Sequence, residues 1–182
     1  MHNRLHRLLN RNLPDHVTID LLVAWPLWLL PLFLIGQILT PHPVWMSFLI
    51  VVIGAYAFGY WWVRSLAEWV VLTRERQGAL LVAGDLLEEE FILHNPTRFS
   101  LLWAEFLDQS DLPGYDPSLV VSVGSSNKYR WRAAVECLQR GVFRLGPSQI
   151  ITNDLFGIFR ATLNYPHVQQ VLIYPRVLQL PE

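Results

Sequence analysis

Cysteine is almost missing from this chain. Cys137 stands alone, so no intrachain disulfide framework can form. A lone thiol suits a reducing compartment without requiring one. Charge is scarce as well: Asp, Glu, Lys and Arg make up 16% of the 182 residues, against about 25% in average soluble domains. The formal net charge is -1, which removes the electrostatic case for a nucleic-acid partner. Patterns that carry chemistry are missing too. There is no glycine-rich phosphate loop with its lysine and no G-x-S-x-G elbow. The histidines (His2, His6, His16, His42, His94, His167) fall in different segments without metal-ligand spacing. The expectation is a chain with no catalytic, cofactor-binding or metal-binding residues.

The charge deficit is concentrated. From Leu21 to Val63 there is no Asp, Glu, Lys or Arg. Leu21–Leu39 (LLVAWPLWLLPLFLIGQIL) and Val44–Val63 (VWMSFLIVVIGAYAFGYWWV) are each close to the ~20 residues that carry an α-helix across the hydrocarbon core. Thr40-Pro41-His42-Pro43 separates them, its prolines ending one helix and starting the next. The pair reads as a two-helix transmembrane hairpin over residues 21–65, with Pro26 and Pro31 bending its first limb. Trp25, Trp28, Trp45, Trp61, Trp62 and Trp69, with Tyr56 and Tyr60, sit in or beside the runs, where amphipathic rings prefer the headgroup level. The alternatives are a buried hairpin inside a soluble protein and a cleaved signal peptide; the second apolar run and the lack of an A-x-A-like site argue against the latter. Ala55 and Gly59, four apart, read as close packing between the two spans.

Flanking arginines set an orientation. The tail of residues 1–20 carries Arg4, Arg7 and Arg11, and Arg64, Arg74 and Arg76 follow the second run, whereas the hairpin loop has no Lys or Arg. The positive-inside rule then puts both termini in the cytoplasm, in a multi-pass protein of the inner (plasma) membrane whose first partner is the lipid bilayer. In LHRLLNRNL, Leu5, Leu8, Leu9 and Leu13 share one helix face beside arginines. That tail either lies on an anionic leaflet or frays and serves orientation alone.

After residue 65 the period changes from helix to strand. In KYRWRAAVEC, Tyr129, Trp131, Ala133, Val135 and Cys137 alternate with Lys128, Arg130, Arg132 and Glu136, as a strand with one wet face requires. On that apolar face Cys137 reads as a buried, inert thiol. Leu86–Leu93, Ser100–Leu107 and Gln170–Tyr174 are further strands, and RGVFRLGP and NDLFGIF read as glycine-punctuated strands with tight turns. Glu88-Glu89-Glu90 is assigned to a strand because Phe91-Ile92-Leu93 and a turn at Asn95-Pro96 follow at once. Recurrent turn signals suggest an all-β immunoglobulin-like sandwich over residues 66–182. The expected class is α+β by segregation: the hairpin first, the sandwich after it.

This organisation resembles the family called domain of unknown function 58, whose members have two N-terminal spans, a β-rich segment and then a von Willebrand factor A-like half. The residues that carry the resemblance are Asn95, Asp108, Asp111-Leu112-Pro113, Arg140-Gly141, Leu145-Gly146-Pro147, Asp154-Leu155-Phe156-Gly157-Ile158-Phe159 and Tyr174-Pro175-Arg176. The family usually has proline where Leu155 stands. The motif residues read as scaffold: Gly141 and Gly146-Pro147 for turns, Asp154 bonding amides two residues on, Phe156 and Phe159 facing the core. Glu105, Asp108, Asp111 and Asp116 form one acidic cluster, but EF-hand spacing is absent and Asp108-Gln109-Ser110 is followed by Asp111-Leu112 rather than completing Asp-x-Ser-x-Ser. A solvated loop is expected there. The resemblance implies a non-enzymatic, membrane-anchored interaction or scaffold protein whose partner is a MoxR-type AAA+ ATPase. It also implies that the von Willebrand-like half would begin near Glu182, as in a truncated or short member. The competing reading is an envelope protein binding a ligand with its β domain outside the cytoplasm.

Overall fold

The structure, a computed structural model, describes residues 9–10, 13–77 and 81–175. Arg4, Arg7, Arg11, Leu5, Leu8, Arg176 and Glu182 lie outside the described residues. Among the described residues the chain is mostly β-sheet with two α-helices. Its elements are β1 (Val17–Leu21), a 3₁₀ turn (Trp25–Leu29), α1 (Leu30–Leu39), α2 (Pro43–Trp69), β2 (Val71–Gln77), β3 (Leu81–Val82), β4 (Leu86–Asn95), β5 (Leu101–Asp108) and β6 (Leu119–Val123). Then come β7 (Asn127–Glu136), β8 (Gly141–Leu145), β9 (Ser148–Asn153), β10 (Phe159–Tyr165) and β11 (Gln169–Tyr174). A five-stranded sheet has the order β1-β10-β9-β5-β6; β2-β4-β7 and β3-β11-β8 form two smaller sheets.

Alternation builds the sandwich. In β4, Leu87, Glu89, Phe91, Leu93 and Asn95 point inward while the residues between them are wetter. The glutamate run is therefore strand, with its middle member buried. Phe91 meets Phe106 of β5 at 5.1 Å between ring centroids and stacks on Trp131 of β7 at 5.1 Å, which closes the two sheets on each other. Ile19, Ala104, Ile150, Ala161 and Leu163 complete that core from the larger sheet. A second cluster gathers Leu87, Leu112, Tyr115, Leu145, Val171, Ile173 and Cys137. Cys137 is fully buried there, and burial pushes its thiol pKa up.

Three expectations change. Val17–Leu21, read as the end of a tail and the start of a span, is an edge strand paired along β10 from Val17↔Leu163 to Leu21↔Phe159. Its alternation explains this: Val17 and Ile19 are buried while Thr18 and Asp20 are half-exposed. Leu21–Leu39 is consequently not one helix. The prolines, which lack an N–H, stand at the starts of a 3₁₀ turn and of α1. Among the described residues one helix is long and apolar enough to cross a membrane, Pro43–Trp69, and Trp25–Leu39 is a shorter apolar segment. Finally, Gly59 does not pack against the first limb. The close approach between α1 and α2 is at Gly36, where a β-carbon would come within 3.0 Å of the Trp45 ring, with Phe33 stacked on Phe48 at 5.2 Å. His42 caps α2 by accepting from Val44 N at 3.3 Å.

Candidate functional site at the helix–sandwich junction

α2 changes surroundings along its length. Val44, Met46, Phe48, Ile50, Val51, Ile53 and Trp61 are exposed, as are Leu32, Leu34, Ile35, Ile38 and Leu39 of α1. A core helix in water would turn such residues inward. The far end of α2 does so: Val63, Leu66 and Ala67 are buried in the same cluster as Phe91 and Phe106. No linker separates helix from sheet. Val70 N bonds Leu66 O at 2.9 Å, β2 starts at Val71, and Tyr165 Oη donates to Val70 O at 3.3 Å. The chain thus leaves the sandwich after Leu21 and re-enters it near Val63. Tyr56 Oη ties the two limbs by donating to Val23 O at 2.7 Å, and Tyr60 Oη donates to Leu9 O at 3.0 Å.

Two loops of the sandwich press on α2 at this junction. One is the Asp154 turn. Asp154 is buried and accepts from Phe156 N at 2.9 Å and Phe159 N at 2.6 Å, so its carboxylate holds the turn from inside. Gly157 completes it at φ 66°, a conformation glycine adopts freely. Phe159 enters the core as expected, edge-on to Tyr56 at 6.1 Å. Phe156 does not: it is exposed, and its ring lies 6.4 Å from Phe58 of α2. With Leu155 also exposed, the turn tip adds apolar surface beside the helix.

The other is the loop 96–99, organised by Asn95. Fully buried, Asn95 donates to Phe99 O at 2.7 Å and Gly124 O at 3.0 Å, and its Oδ1 accepts from Thr97 Oγ1 at 2.7 Å. The loop so held puts Phe99 against Trp62 at 4.6 Å and Trp61 at 4.9 Å.

Between the two sheets lies a buried ion cluster that the sequence did not reveal. Arg74 of β2 grips Glu89 of β4 with two bonds of 3.0 and 2.7 Å and reaches Asp108 of β5 at 3.1 Å. It links the small β2-β4-β7 sheet to the large one. Tyr115 Oη donates to Glu89, and Ser110 and Ser148 hydroxyls donate to Asp108, the latter at 2.6 Å. Burial alone would lower the Arg74 pKa, but the bonds and charge of Glu89 and the charge of Asp108 outweigh it and leave it raised. Burial and the Glu89 carboxylate push the Tyr115 phenol well up. Asp108 is thus paired with a guanidinium, and among the described residues no acidic or histidine cluster is arranged for a metal.

The remaining motif residues separate. Asp111, Gly146 and Pro147 line an open cavity of about 490 Å³ with Arg144 and Gln170. Asp111 fastens β8 there, accepting from Arg144 N at 2.5 Å. Gly146 has φ 89°, and a β-carbon on it would come within 2.6 Å of His167 O. Arg140 and Pro113 are exposed, Gly141 opens β8, and Tyr174 and Pro175 end β11 at the surface. Asp116 is a turn residue, its pKa lowered by the Ser118 hydroxyl and amide.

No family profile and no curated protein matches this sequence. Among solved structures, the crystal structure of the CARDB domain of PF1109 from Pyrococcus furiosus aligns at 12% identity and a TM-score of 0.41, covering 59% of this chain and 94% of that one. The solution structure of that domain gives 15% and 0.39, with 58% and 95% covered. The PapD-like domain 7 of human CEP192 gives 9% and 0.34, with 60% and 87% covered. These are loose likenesses, and the sandwich is read from the chain's own strand pairing and core.

Proposed function

We propose that the chain is a membrane-anchored, non-enzymatic interaction module whose β-sandwich is carried rigidly on its membrane helix. The observation behind this reading is the continuity of α2, whose apolar outward face gives way, without a linker, to Val63, Leu66 and Ala67 in the sandwich core. About 20 residues from Pro43 suffice for a hydrocarbon core of about 30 Å. β1 and the end of α2 belong to one sandwich, so the apolar segment between them crosses an even number of times. That supports a hairpin with both its ends on one side, and the arginine pattern favours the cytoplasmic side of the inner membrane. The first limb, Trp25–Leu39, is the shorter one; exposed Leu22 precedes it, and the exposed Phe156 adds apolar surface beside α2.

The experiment is labelling of Thr40→Cys with a membrane-impermeant maleimide; buried Cys137 leaves little background. Reaction from the periplasmic side is expected. A tip shielded from both sides would replace the spanning hairpin with a re-entrant one, and reaction only from the cytoplasm would overturn the anchored reading. The resemblance to the domain of unknown function 58 family makes a MoxR-type AAA+ ATPase the proposed partner, tested by co-purification in detergent across nucleotide states. The cavity at Asp111 and Arg144 favours a second reading, an envelope ligand-binding domain. A reporter fused after Glu182 that is active only outside the cytoplasm would select it.

A further inference from the structure

We infer that the junction holds a binding site for the headgroup of an anionic phospholipid, between Arg98 and the last turns of α2. This rests on the membrane reading above and goes beyond it by naming a ligand class. A cavity of about 540 Å³ opens there, walled by Trp61, Ser65 and Trp69 on one side and by Thr97, Arg98 and Phe99 on the other. Trp61, Ser65 and Trp69 are spaced four apart, so they form one stripe along the helix. The stripe straddles Arg64, the first charged residue after the apolar run, so it lies where a helix leaves hydrocarbon for headgroups. Trp61 and Trp69 are both more than half exposed, as interfacial tryptophans are.

The polar chemistry of the cavity is one-sided. Arg98 is exposed, and no described residue gives it a hydrogen bond or an ion pair. The Ser65 hydroxyl likewise has no partner among the described residues. Glu68, the neighbouring acid, is already taken by Arg64 at 2.8 Å. Arg98 and Ser65 therefore present donors that no described residue uses. A guanidinium with paired N–H groups matches a phosphate. The loop is held in shape by Asn95 and pinned on α2 by Phe99, so Arg98 is positioned before any lipid arrives. A cytoplasmic leaflet is rich in such anions and would attract this cation.

The test titrates phosphatidylglycerol and phosphatidylcholine onto the detergent-purified full chain, scored by native mass spectrometry. Flotation with vesicles of each lipid runs in parallel. The expected result is preferential retention of phosphatidylglycerol. Arg98→Gln should weaken it roughly tenfold, the loss of a charge-assisted contact, and Ser65→Ala less. Arg160→Gln, an exposed arginine elsewhere, should leave it unchanged. Equal retention of both lipids, or an effect of Arg160→Gln equal to that of Arg98→Gln, overturns the headgroup site while flotation still succeeds. Failure to float with either lipid overturns the membrane reading itself. Free glycerol 3-phosphate competing as well as the lipid would make this a soluble-anion site and defeat the proposal.

Discussion

Gly59 of α2 faces Asp154: a β-carbon on this glycine would stand 2.9 Å from Asp154 Oδ2 and 3.4 Å from the Phe159 ring. The carboxylate is already committed to two backbone amides, so it cannot swing away without opening its own turn. Gly59→Val should therefore lower stability by about 1–3 kcal/mol through overpacking. The check is thermal unfolding in detergent micelles, with Gly54→Val as the control, because a β-carbon at Gly54 meets nothing within 4 Å.

Arg74 is the only cation within reach of the buried Glu89 and Asp108 among the described residues. Arg74→Met strands two carboxylates away from water. A loss of about 3–5 kcal/mol is expected, as when one partner of a buried pair is removed. Replacing Glu89 and Asp108 by leucine in the same chain should restore part of it, measured by denaturant unfolding of the single and triple variants.

Asn95→Ala removes the side chain that ties β4 to its following loop and to the carbonyls of Val123 and Gly124. Each buried group left unpaired costs about 1–3 kcal/mol. The local consequence is sharper than the global one: amides of Thr97 and Phe99 should exchange faster with solvent, and tryptophan emission should shift as Phe99 leaves Trp62.

Alkaline pH should loosen the sandwich. Burial pushes the Tyr165 phenol from its ordinary 10 up to about 12, and burial with the Glu89 carboxylate raises Tyr115 as well. The folded chain holds these protons more tightly than the unfolded one. For Tyr165 that contribution is complete below pH 10 and is lost as pH climbs through about 12, and Tyr115 acts in the same direction. An alkaline titration following tyrosinate absorbance and circular dichroism together should show the two tyrosines ionising with unfolding. Tyr165→Phe should flatten the dependence in part.

Local pattern was enough for much of this. The alternation of β7, the strand assignment of the glutamate run and the Asx turn at Asp154 each depend on neighbours a few residues away. β1 escaped because Leu21 merges with the apolar run behind it, and its strand partner lies near the other end of the chain. The motif reading puts Phe156 in the core with Phe159; only the approach of α2 explains why it faces Phe58 instead. The Arg74 cluster draws on three strands of two sheets, and nothing in the order of residues joins Arg74 to Glu89 and Asp108. Asn95 is readable as a turn residue and Asp111 only as a member of an acidic loop, while the cavities beside them come from tertiary contact.

The pairing of β1 with β10 bears on how the protein is made. A ribosome emits Val17–Leu21 well before Phe159–Tyr165, so β1 waits with an unpaired edge while the residues between them are made. In the membrane-anchored reading proposed above, the apolar segment between them enters the bilayer in the meantime and tethers that waiting strand at the membrane surface. Closure of the large sheet is then a slow, long-range event.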